Sequence, residues 1–289
     1  QVAPIESGAA PASLQDFQIA QLTTSGNAER PAISPDGKYV AYVQHDGDAY
    51  SLWIRQTTTL SNVQIVPPEP GVQLFGATVT PDGSYVDFLR SQGRQRSIWR
   101  VPFLGGPPKR LIDNALTPVG WSPDGQLLAF IRGNGNSNGS QLIVADPDGG
   151  NERVLTGRQN PAYFLSMNYS PSPSIRPAWS PDGRVIAVLG GDSPGSVLTR
   201  QVVFVDASTG SAQAVPLPQG VSEMQGIAWM DRGSLVVNHA EGAGAPLQLW
   251  RLQYPDGRPS RVTNDLNEYV GVSVTADRKS IVVDQFTRK

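Results

Sequence analysis

The sequence has few of the residues that most directly indicate catalytic or metal chemistry. It contains no cysteine, two histidines and three methionines among 289 residues. Without cysteine the chain offers no disulfide and no thiolate ligand or nucleophile, a composition that suits an oxidising compartment. His45 and His239 have no clustered third ligand in the sequence, and zinc sites need at least three. We therefore expect no metal and no cofactor, and we expect both histidines to lie in solvated loops at strand ends.

Strong charge of one sign and long hydrophobic runs are also absent. The net charge is −2 and the basic residues are scattered, so we do not expect a nucleic-acid partner. No apolar run reaches the roughly 20 residues that a membrane-spanning helix needs, so we expect no membrane span in this chain. What is abundant is turn chemistry, with 30 glycines and 25 prolines, as is typical of short strands joined by tight turns.

One turn pattern recurs along the chain. Ser-Pro-Asp-Gly fits a type I turn in which the aspartate caps its own backbone and the glycine takes a positive φ. Each copy is followed by an apolar, β-branched run that predicts a buried strand. The copies begin at Ser34, Thr80, Ser122 and Ser180, with weaker versions at Met230 and Thr275. Copies spaced roughly 40–60 residues apart, with strands alone between them, predict an all-β, six-bladed β-propeller of four-stranded antiparallel blades.

The two ends of the chain depart from this regular pattern. Residues 1–16 are rich in small residues and proline and predict a leader or linker, and residues 17–289 predict a single propeller domain. Phe17–Thr23 has the pattern of an outer strand, and we expect it to pack beside the last unit and close the ring. That unit contains only two strand patterns before Lys289, so the last blade is expected to be incomplete in this chain.

All six tryptophans fall on repeat positions. They are Trp121, Trp179 and Trp229 at the ends of inner strands, and Trp53, Trp99 and Trp250 in third strands. One interpretation is a platform for stacking sugars. We favour packing between neighbouring blades, because position in the repeat predicts where each tryptophan occurs.

Two regions are candidates for binding. The loops that enter the inner strands form one face of a propeller, around its central channel, and a concave face of this kind is the default binding site. Its residues are Glu29, Arg30, Phe75, Thr117, Arg176, Gln225, Glu268 and Tyr269. The long link 157–176 offers three further aromatic contacts, Tyr163, Phe164 and Tyr169. The alternatives are an ordinary solvated channel mouth and a loop whose aromatics fold back onto the blade.

Two cues carry a resemblance to a known family. The inner cue Pro177–Gly183 and the outer cue Asp146–Thr156 resemble the TolB-like, PD-type β-propeller repeat family. The runs 51–56, 61–68 and 101–111 are more specifically similar to the extracytoplasmic sensor propeller of bacterial serine/threonine kinases and winged-helix regulators. The resemblance implies a periplasmic or extracytoplasmic sensor that binds a protein, a peptide or a small ligand.

Three functions remain open. The first is a non-enzymatic recognition domain of a membrane signalling protein such as a serine/threonine kinase. The second is a TolB-like periplasmic scaffold of a cell-envelope complex. The third is the gating propeller of a prolyl-oligopeptidase-type hydrolase. The sequence has no Gly-rich phosphate loop, His-Arg-Asp or Asp-Phe-Gly motif, so we expect any kinase or peptidase domain to lie outside these residues.

Overall fold

The computed structural model describes residues 20–23, 25–133, 139–166, 175–193, 199–218, 221 and 223–287. This part of the chain forms β-strands joined by turns. It contains no helix that is long and apolar enough to cross a membrane. The strands are numbered β1–β23 and form antiparallel sheets in chain order. An all-β propeller of antiparallel blades was predicted from the turn repeat, and this prediction is confirmed.

The first three blades each contain four strands, which follow one another from the channel outward. Blade one consists of β1 (Ala28–Ile33), β2 (Tyr39–Asp46), β3 (Ala49–Gln56) and β4 (Asn62–Val66). Blade two consists of β5 (Val72–Val79), β6 (Tyr85–Gln92), β7 (Gln95–Pro102) and β8 (Lys109–Asp113). Blade three consists of β9 (Gly120–Trp121), β10 (Leu128–Gly133), β11 (Gly139–Ala145) and β12 (Arg153–Gln159).

Two further blades and a smaller sheet complete the described chain. Blade four consists of β13 (Ala162–Phe164), β14 (Ala178–Trp179), β15 (Val185–Asp192), β16 (Thr199–Asp206) and β17 (Ala212–Pro216). Blade five consists of β18 (Met224–Asp231), β19 (Ser234–His239), β20 (Gln248–Gln253) and β21 (Pro259–Arg261). The last sheet is a two-stranded closing hairpin of β22 (Asn267–Val274) and β23 (Ile281–Thr287).

The prediction of six blades is therefore wrong. Within the described residues there are five blades and the closing hairpin, because the sixth turn repeat is followed by one strand only. The predicted outer strand Phe17–Thr23 is not seen where it can be checked, since residues 20–23 are irregular. Its first three residues and the predicted leader 1–16 lie outside the described residues.

The recurring turn forms as its chemistry predicts. In blade four the Ser180 hydroxyl donates to Asp182 at 2.7 Å, and the Gly183 amide donates to the Ser180 carbonyl at 2.9 Å. Gly183 has a φ of +71°, a conformation that costs glycine nothing. The hydroxyl bond lowers the pKa of Asp182 below its ordinary value. The last copy reaches the same geometry without glycine, because Arg278 takes a φ of +62°.

The inner-strand tryptophans connect consecutive blades. The Trp179 indole donates to the Gly120 carbonyl of blade three at 3.0 Å, and the Trp229 indole donates to the Ala178 carbonyl of blade four at 2.9 Å. Trp121 donates to the buried Asp87 of blade two at 3.0 Å. Trp179 and Trp229 are also buried, 6% and 1% exposed, which leaves no open face on which a sugar could stack. All three indoles therefore join neighbouring blades, as packing between blades requires.

The closing hairpin joins blade five to blade one. On one side the Asn238 amide of β19 donates to the Tyr269 carbonyl at 2.9 Å. On the other side the Ile33 amide of β1 donates to the Ser273 hydroxyl at 3.1 Å, and the Ala276 amide donates to the Pro35 carbonyl at 2.9 Å. Neighbouring sheets thus meet all the way around, and a two-stranded sheet is enough to close the ring.

The link between blades three and four is not a surface contact loop where it is described. β13 and β14 both pair with β15, so the inner strand of blade four consists of two separate pieces. Tyr163 and Phe164 lie in β13 with their side chains in the core, 5% and 0% exposed. The aromatics fold back onto the blade, which was the alternative that the sequence left open. Tyr169 lies outside the described residues.

Candidate functional site

The inner strands define a mouth face. Because the strands are antiparallel, the loops that enter β1, β5, β18 and β22 lie on the same side as the turns between second and third strands. The recurring Asp-Gly turns lie on the opposite face. We use "mouth face" for the first side, which contains most of the residues selected from the sequence.

Arg176 lies across the channel rather than on its rim. It lies between the two inner-strand pieces of blade four, two residues before β14, yet its Nη1 donates to the Ala77 carbonyl of blade two at 3.1 Å. Its Nη2 donates to the Val272 carbonyl of the closing hairpin at 3.3 Å. Burial lowers the pKa of this guanidinium to about 10, which leaves it charged at neutral pH. The channel is therefore obstructed by a cation held by backbone carbonyls of two other sheets.

Arg30 is also engaged between sheets. It has a φ of +62° at an irregularity in β1, and its backbone amide donates to the Asp284 carboxylate of β23 at 2.7 Å. Its guanidinium donates to the Leu74 carbonyl of blade two and pairs with Glu29 at 2.8 Å. Arg30 thereby links the closing hairpin, blade one and blade two in a single network.

The charges around Arg30 alter the ionisation of this network. Burial raises the pKa of Asp284, the hydrogen bond from the Arg30 amide opposes this, and the nearby Glu29 carboxylate adds to the rise, so that the pKa is about 7. Burial also lowers the pKa of Arg30 from its ordinary value. The guanidinium lies over the Phe75 ring at 5.1 Å, so Phe75 contributes to this network as well.

The other predicted mouth residues divide into buried and accessible groups. Thr117 is buried, and its hydroxyl accepts a hydrogen bond from the Ile131 amide at 3.0 Å. Tyr269 is buried, and its hydroxyl donates to Asp265 at 2.6 Å. Gln225 and Glu268 are partly exposed at the start of β18 and β22. The structure therefore places Arg30, Phe75 and Glu29 together, encloses Thr117 and Tyr269, and leaves Gln225 and Glu268 toward solvent.

The exposed part of the mouth face is acidic on the side of blades one and five. The residues are Asp46, Asp48, Glu223, Glu241 and Asp265, all of which are exposed. Leu266, in the loop that enters β22, is 85% exposed. These side chains were not singled out from the sequence, because only the strand order shows that they lie on one face.

His239 does not lie in the solvated loop that the sequence predicted. In blade one His45 pairs with Tyr50, which is three residues before Trp53. In blade five His239 pairs with Gln248, which is two residues before Trp250, so the two histidines differ by one register position. Side chains alternate between faces along a strand, so this shift turns His239 into the sheet interface. His239 is 2% exposed, and burial lowers its pKa to about 4. The expectation of a solvated loop histidine therefore fails for His239.

The sequence also contains two Gly-x-Ser-x-Gly matches, at 135–139 and 191–195. A nucleophile elbow joins a strand to a helix. Here Gly139 begins β11, and Gly191 and Asp192 end β15, so the described residues of both matches belong to strands or their ends rather than to a strand and a helix. Most of the matched residues lie outside the described part of the chain. Within the described residues no group of three histidine, aspartate or glutamate side chains is placed to hold a metal ion.

Comparison with solved structures identifies the fold. No protein-family model and no curated protein matches the sequence. The putative TolB from Agrobacterium tumefaciens is 17% identical, with 90% of this chain and 91% of that chain covered and a TM-score of 0.62. TolB from Acinetobacter baumannii is 17% identical, with 89% and 59% covered and a TM-score of 0.64. This chain has the TolB-like β-propeller fold.

The same fold occurs within a larger enzyme. An acylaminoacyl peptidase is 13% identical, with 90% of this chain and 42% of that chain covered and a TM-score of 0.56. Identities at this level show the architecture alone. TolB proteins and a peptidase are therefore both among the solved structures that share this fold.

Proposed function

We propose that this chain is a non-enzymatic recognition propeller located outside the cytoplasm, in which the mouth face binds a protein or peptide partner. The parent that fits the sequence resemblance is a membrane signalling protein such as a serine/threonine kinase. In this proposal the channel does not admit a substrate, and the chain contributes a binding surface rather than catalytic groups.

The observation that carries the proposal is the position of Arg176. Its guanidinium reaches from blade four to carbonyls of blade two and the closing hairpin, so the axis is obstructed by a side chain with hydrogen bonds on both far walls. A gating propeller of a peptidase would have to pass or filter a substrate. A partner that meets a closed channel binds at the rim, which favours a sensor or scaffold over a gate.

The chemistry of the rim indicates the character of the partner. Asp48, Glu223 and Asp265 are exposed on one side of the mouth face, and Leu266, next to Asp265 in the chain, is 85% exposed. Complementary charge increases association rate and selectivity more than it increases affinity. We therefore expect a partner segment with basic residues and at least one apolar side chain.

Charge reversal on the two faces tests this proposal. In a pull-down from cell-envelope fractions, Asp48→Lys combined with Glu223→Lys should reduce the amount of partner that the chain retains by at least about tenfold. The effect should be strongest at low salt. Asp256→Lys is the matched control, since Asp256 is exposed in the β20–β21 turn on the opposite face. Equal retention by both variants would contradict a binding site on the mouth face.

The domains that accompany this propeller distinguish the finer alternatives. A membrane span followed or preceded by a kinase or winged-helix domain supports the sensor. An α/β amino-terminal domain in a short periplasmic protein supports the TolB-like scaffold. A hydrolase domain supports the peptidase gate, and in that case Arg176→Ala should increase the turnover of bulky peptides.

A further inference from the structure

The closing hairpin is narrower than the sheets on either side of it. Among the described residues it has two strands, whereas blades one and five beside it have four strands each. Neighbouring strands of a sheet lie about 4.8 Å apart, so blades one and five extend about 10 Å further outward than β23. The outer edge of β23 therefore lies at the floor of a recess between these two blades, which we call the β23 slot.

β23 has the sequence of a second strand but not its burial. In all five blades the second strand pairs on its outer side with a third strand. Residues 186–188 of β15 are accordingly 0% exposed. The equivalent residues 281–283 of β23, counted from the shared turn, are only partly buried, and Phe286 is 45% exposed. The strand is thus built for a neighbour that the described part of the chain does not provide.

The backbone of β23 is extended along its whole length. Its inner side pairs with β22 from Val274 and Ile281 at one end to Asn267 and Thr287 at the other. No described strand pairs with its outer side. An edge strand of this length presents unpaired N–H and C=O groups, which another chain can use as a template. The fourth strands of the blades are also edges, but only β23 lies between two taller sheets.

The wall of the slot on the side of blade five is apolar. Leu249 of β20 and Val262, which follows β21, belong to one apolar cluster with Ile281 and Val283 of the hairpin. Ile281 and Val283 are alternate residues of β23, so they share the face directed at blade five. A strand added beside β23 would continue this face with every second side chain.

Trp53 lies on the opposite wall, in blade one. Leu52 and Ile54 belong to the cluster between blades one and two, so Trp53 between them faces the other way, toward the closing hairpin. Trp99 has the same position in blade two and packs against the cluster that contains Leu52 and Ile54 of β3. Trp53 has no third strand opposite it among the described residues, because the hairpin ends at β23.

Polar side chains surround Trp53 on this wall. Arg55 follows it by two residues and therefore lies on the same face of the sheet. Asn62 and Gln64 of β4 pair with Arg55 and Trp53, so they share that face as well, and both are exposed. The two walls thus differ, since one is apolar and the other combines an aromatic ring with polar groups.

The depth of the slot decides what can occupy it. A second copy of the chain cannot bring its own β23 into contact, because each edge is recessed by about 10 Å behind its neighbouring blades. A single extended segment is one strand wide and can enter. In β-strand addition, main-chain hydrogen bonds to an edge provide affinity, and alternate side chains provide specificity.

We propose that the β23 slot binds an extended segment of a partner protein, which pairs antiparallel with β23 as third strands do in the five blades. The segment directs apolar side chains toward Val262 on alternate residues, and polar or aromatic side chains toward Trp53 on the others. The slot opens at the outer rim of the propeller and not on the mouth face. This proposal and the proposed mouth-face site can therefore fail separately.

A peptide with the sequence of a third strand tests this proposal by nuclear magnetic resonance of the whole ¹⁵N-labelled chain. The probe is Leu-Gln-Leu-Trp-Arg-Leu-Gln-Tyr, the sequence of residues 247–254, which contains β20. A scrambled peptide of the same composition is the control. We expect the probe alone to shift the amide signals of 281–287 and the Trp53 indole signal to saturation. The Trp99 indole signal should stay unchanged, because Trp99 already packs against blade one.

Modified probes show whether the backbone of β23 carries the binding. One version of the peptide is N-methylated at its odd-numbered residues and another at its even-numbered residues. Only one of these sets of N–H groups can face β23, so the affinities of the two versions should differ at least about tenfold. Trp53→Leu should also weaken binding of the unmodified probe, whereas the matched control Trp99→Leu should not.

Three results would overturn the proposal. The first is the absence of any saturable shift, or shifts centred on outer strands such as β8 or β12. The second is equal affinity of the two N-methylated peptides, which would mean that the probe does not pair as a strand. The third is binding that appears only after residues 1–16 are deleted, because the slot would then belong to a segment of this chain and not to a partner.

Discussion

The Arg176 Nη1 donates a hydrogen bond of 3.1 Å to the carbonyl of Ala77, which is 99 residues earlier in the chain and belongs to a sheet across the channel. Together with the bond to Val272, this contact joins three sheets through one side chain. A residue in this position holds the inner strands at fixed distances. We therefore expect Arg176 to contribute to stability rather than to direct partner contact.

Replacing Arg176 with methionine tests that role. Methionine keeps the length of the side chain but leaves two carbonyls facing the channel without donors. Hydrogen bonds that involve a charged group are each worth about 1.5–3 kcal/mol, so the free energy of unfolding should fall by at least about 2 kcal/mol. Arg232→Met is the control, because Arg232 is exposed in the turn after β18. Urea denaturation giving equal midpoints for the two variants would show that Arg176 does not hold the sheets together.

The Asp87 carboxylate should be the most sensitive point between blades two and three. Asp87 is 0% exposed, accepts from Arg100 at 2.7 and 3.0 Å, and accepts from Trp121 at 3.0 Å. Removing one partner of a buried ion pair leaves the other uncompensated, so Asp87→Ala should cost about 3–5 kcal/mol. Asp113→Ala, which breaks an exposed pair with Arg110, should cost less than about 1 kcal/mol. Denaturant titration measures the loss of unfolding free energy in both variants. Similar losses would show that the buried pair is no more important than the exposed one.

Asp284 should make the closing hairpin weaker as pH rises. Its pKa is about 7 in the folded chain, above the ordinary value of 3.8, so the folded state binds a proton more tightly than the unfolded state. The stability that the Asp284 proton contributes to the folded state is complete below about pH 4 and is lost as the pH rises through about 7. Asp284→Asn should flatten this decline, since asparagine does not titrate. A pH series of thermal melts that declines equally in both proteins would contradict the assignment.

His239 should act in the opposite direction. Its folded pKa of about 4 lies below the ordinary value of 6.5, so the unfolded chain takes up a proton first as the pH falls. Stability is therefore lost between about pH 6.5 and 4, on the order of 3–4 kcal/mol at 1.4 kcal/mol per pKa unit. His239→Gln should remove most of that loss. His45→Gln is the control, and a matching effect from His45 would mean that burial of His239 is not the cause.

The turn repeat predicted most of the fold because its geometry is local. The Ser180–Gly183 turn fixes its own hydrogen bonds within six residues, so each copy identifies a hairpin without knowledge of the rest. Tyr163 and Phe164 were harder to place, since a two-piece inner strand forms only when segments on either side of a link pair with the same β15. The number of blades was overestimated because a turn copy does not guarantee the strands that should follow it.

The sequence indicated which face of the propeller to consider, but it did not identify the exposed residues that form the candidate site. Arg30 and Arg176 were correctly placed at the inner strands, but the direction of a long side chain across the channel depends on carbonyls in distant sheets. The burial of His239 follows from a register shift of one residue, which the strand pattern alone does not specify. The exposed acidic side chains became a group only once the loops were assigned to one face.

Site-specific photo-crosslinking distinguishes a partner bound at the mouth face, where the channel is obstructed, from one bound at the opposite face. A benzoyl-phenylalanine placed at Asp48 or Glu223 probes the mouth face. The same group at Leu60 or Leu104, which are 86% and 91% exposed, probes the opposite face. We expect one discrete crosslinked partner from the first two positions in cell-envelope fractions and none from the other two. Crosslinks from Leu60 or Leu104 to the same partner, or none from Asp48 and Glu223, would show that partners do not bind at the mouth face.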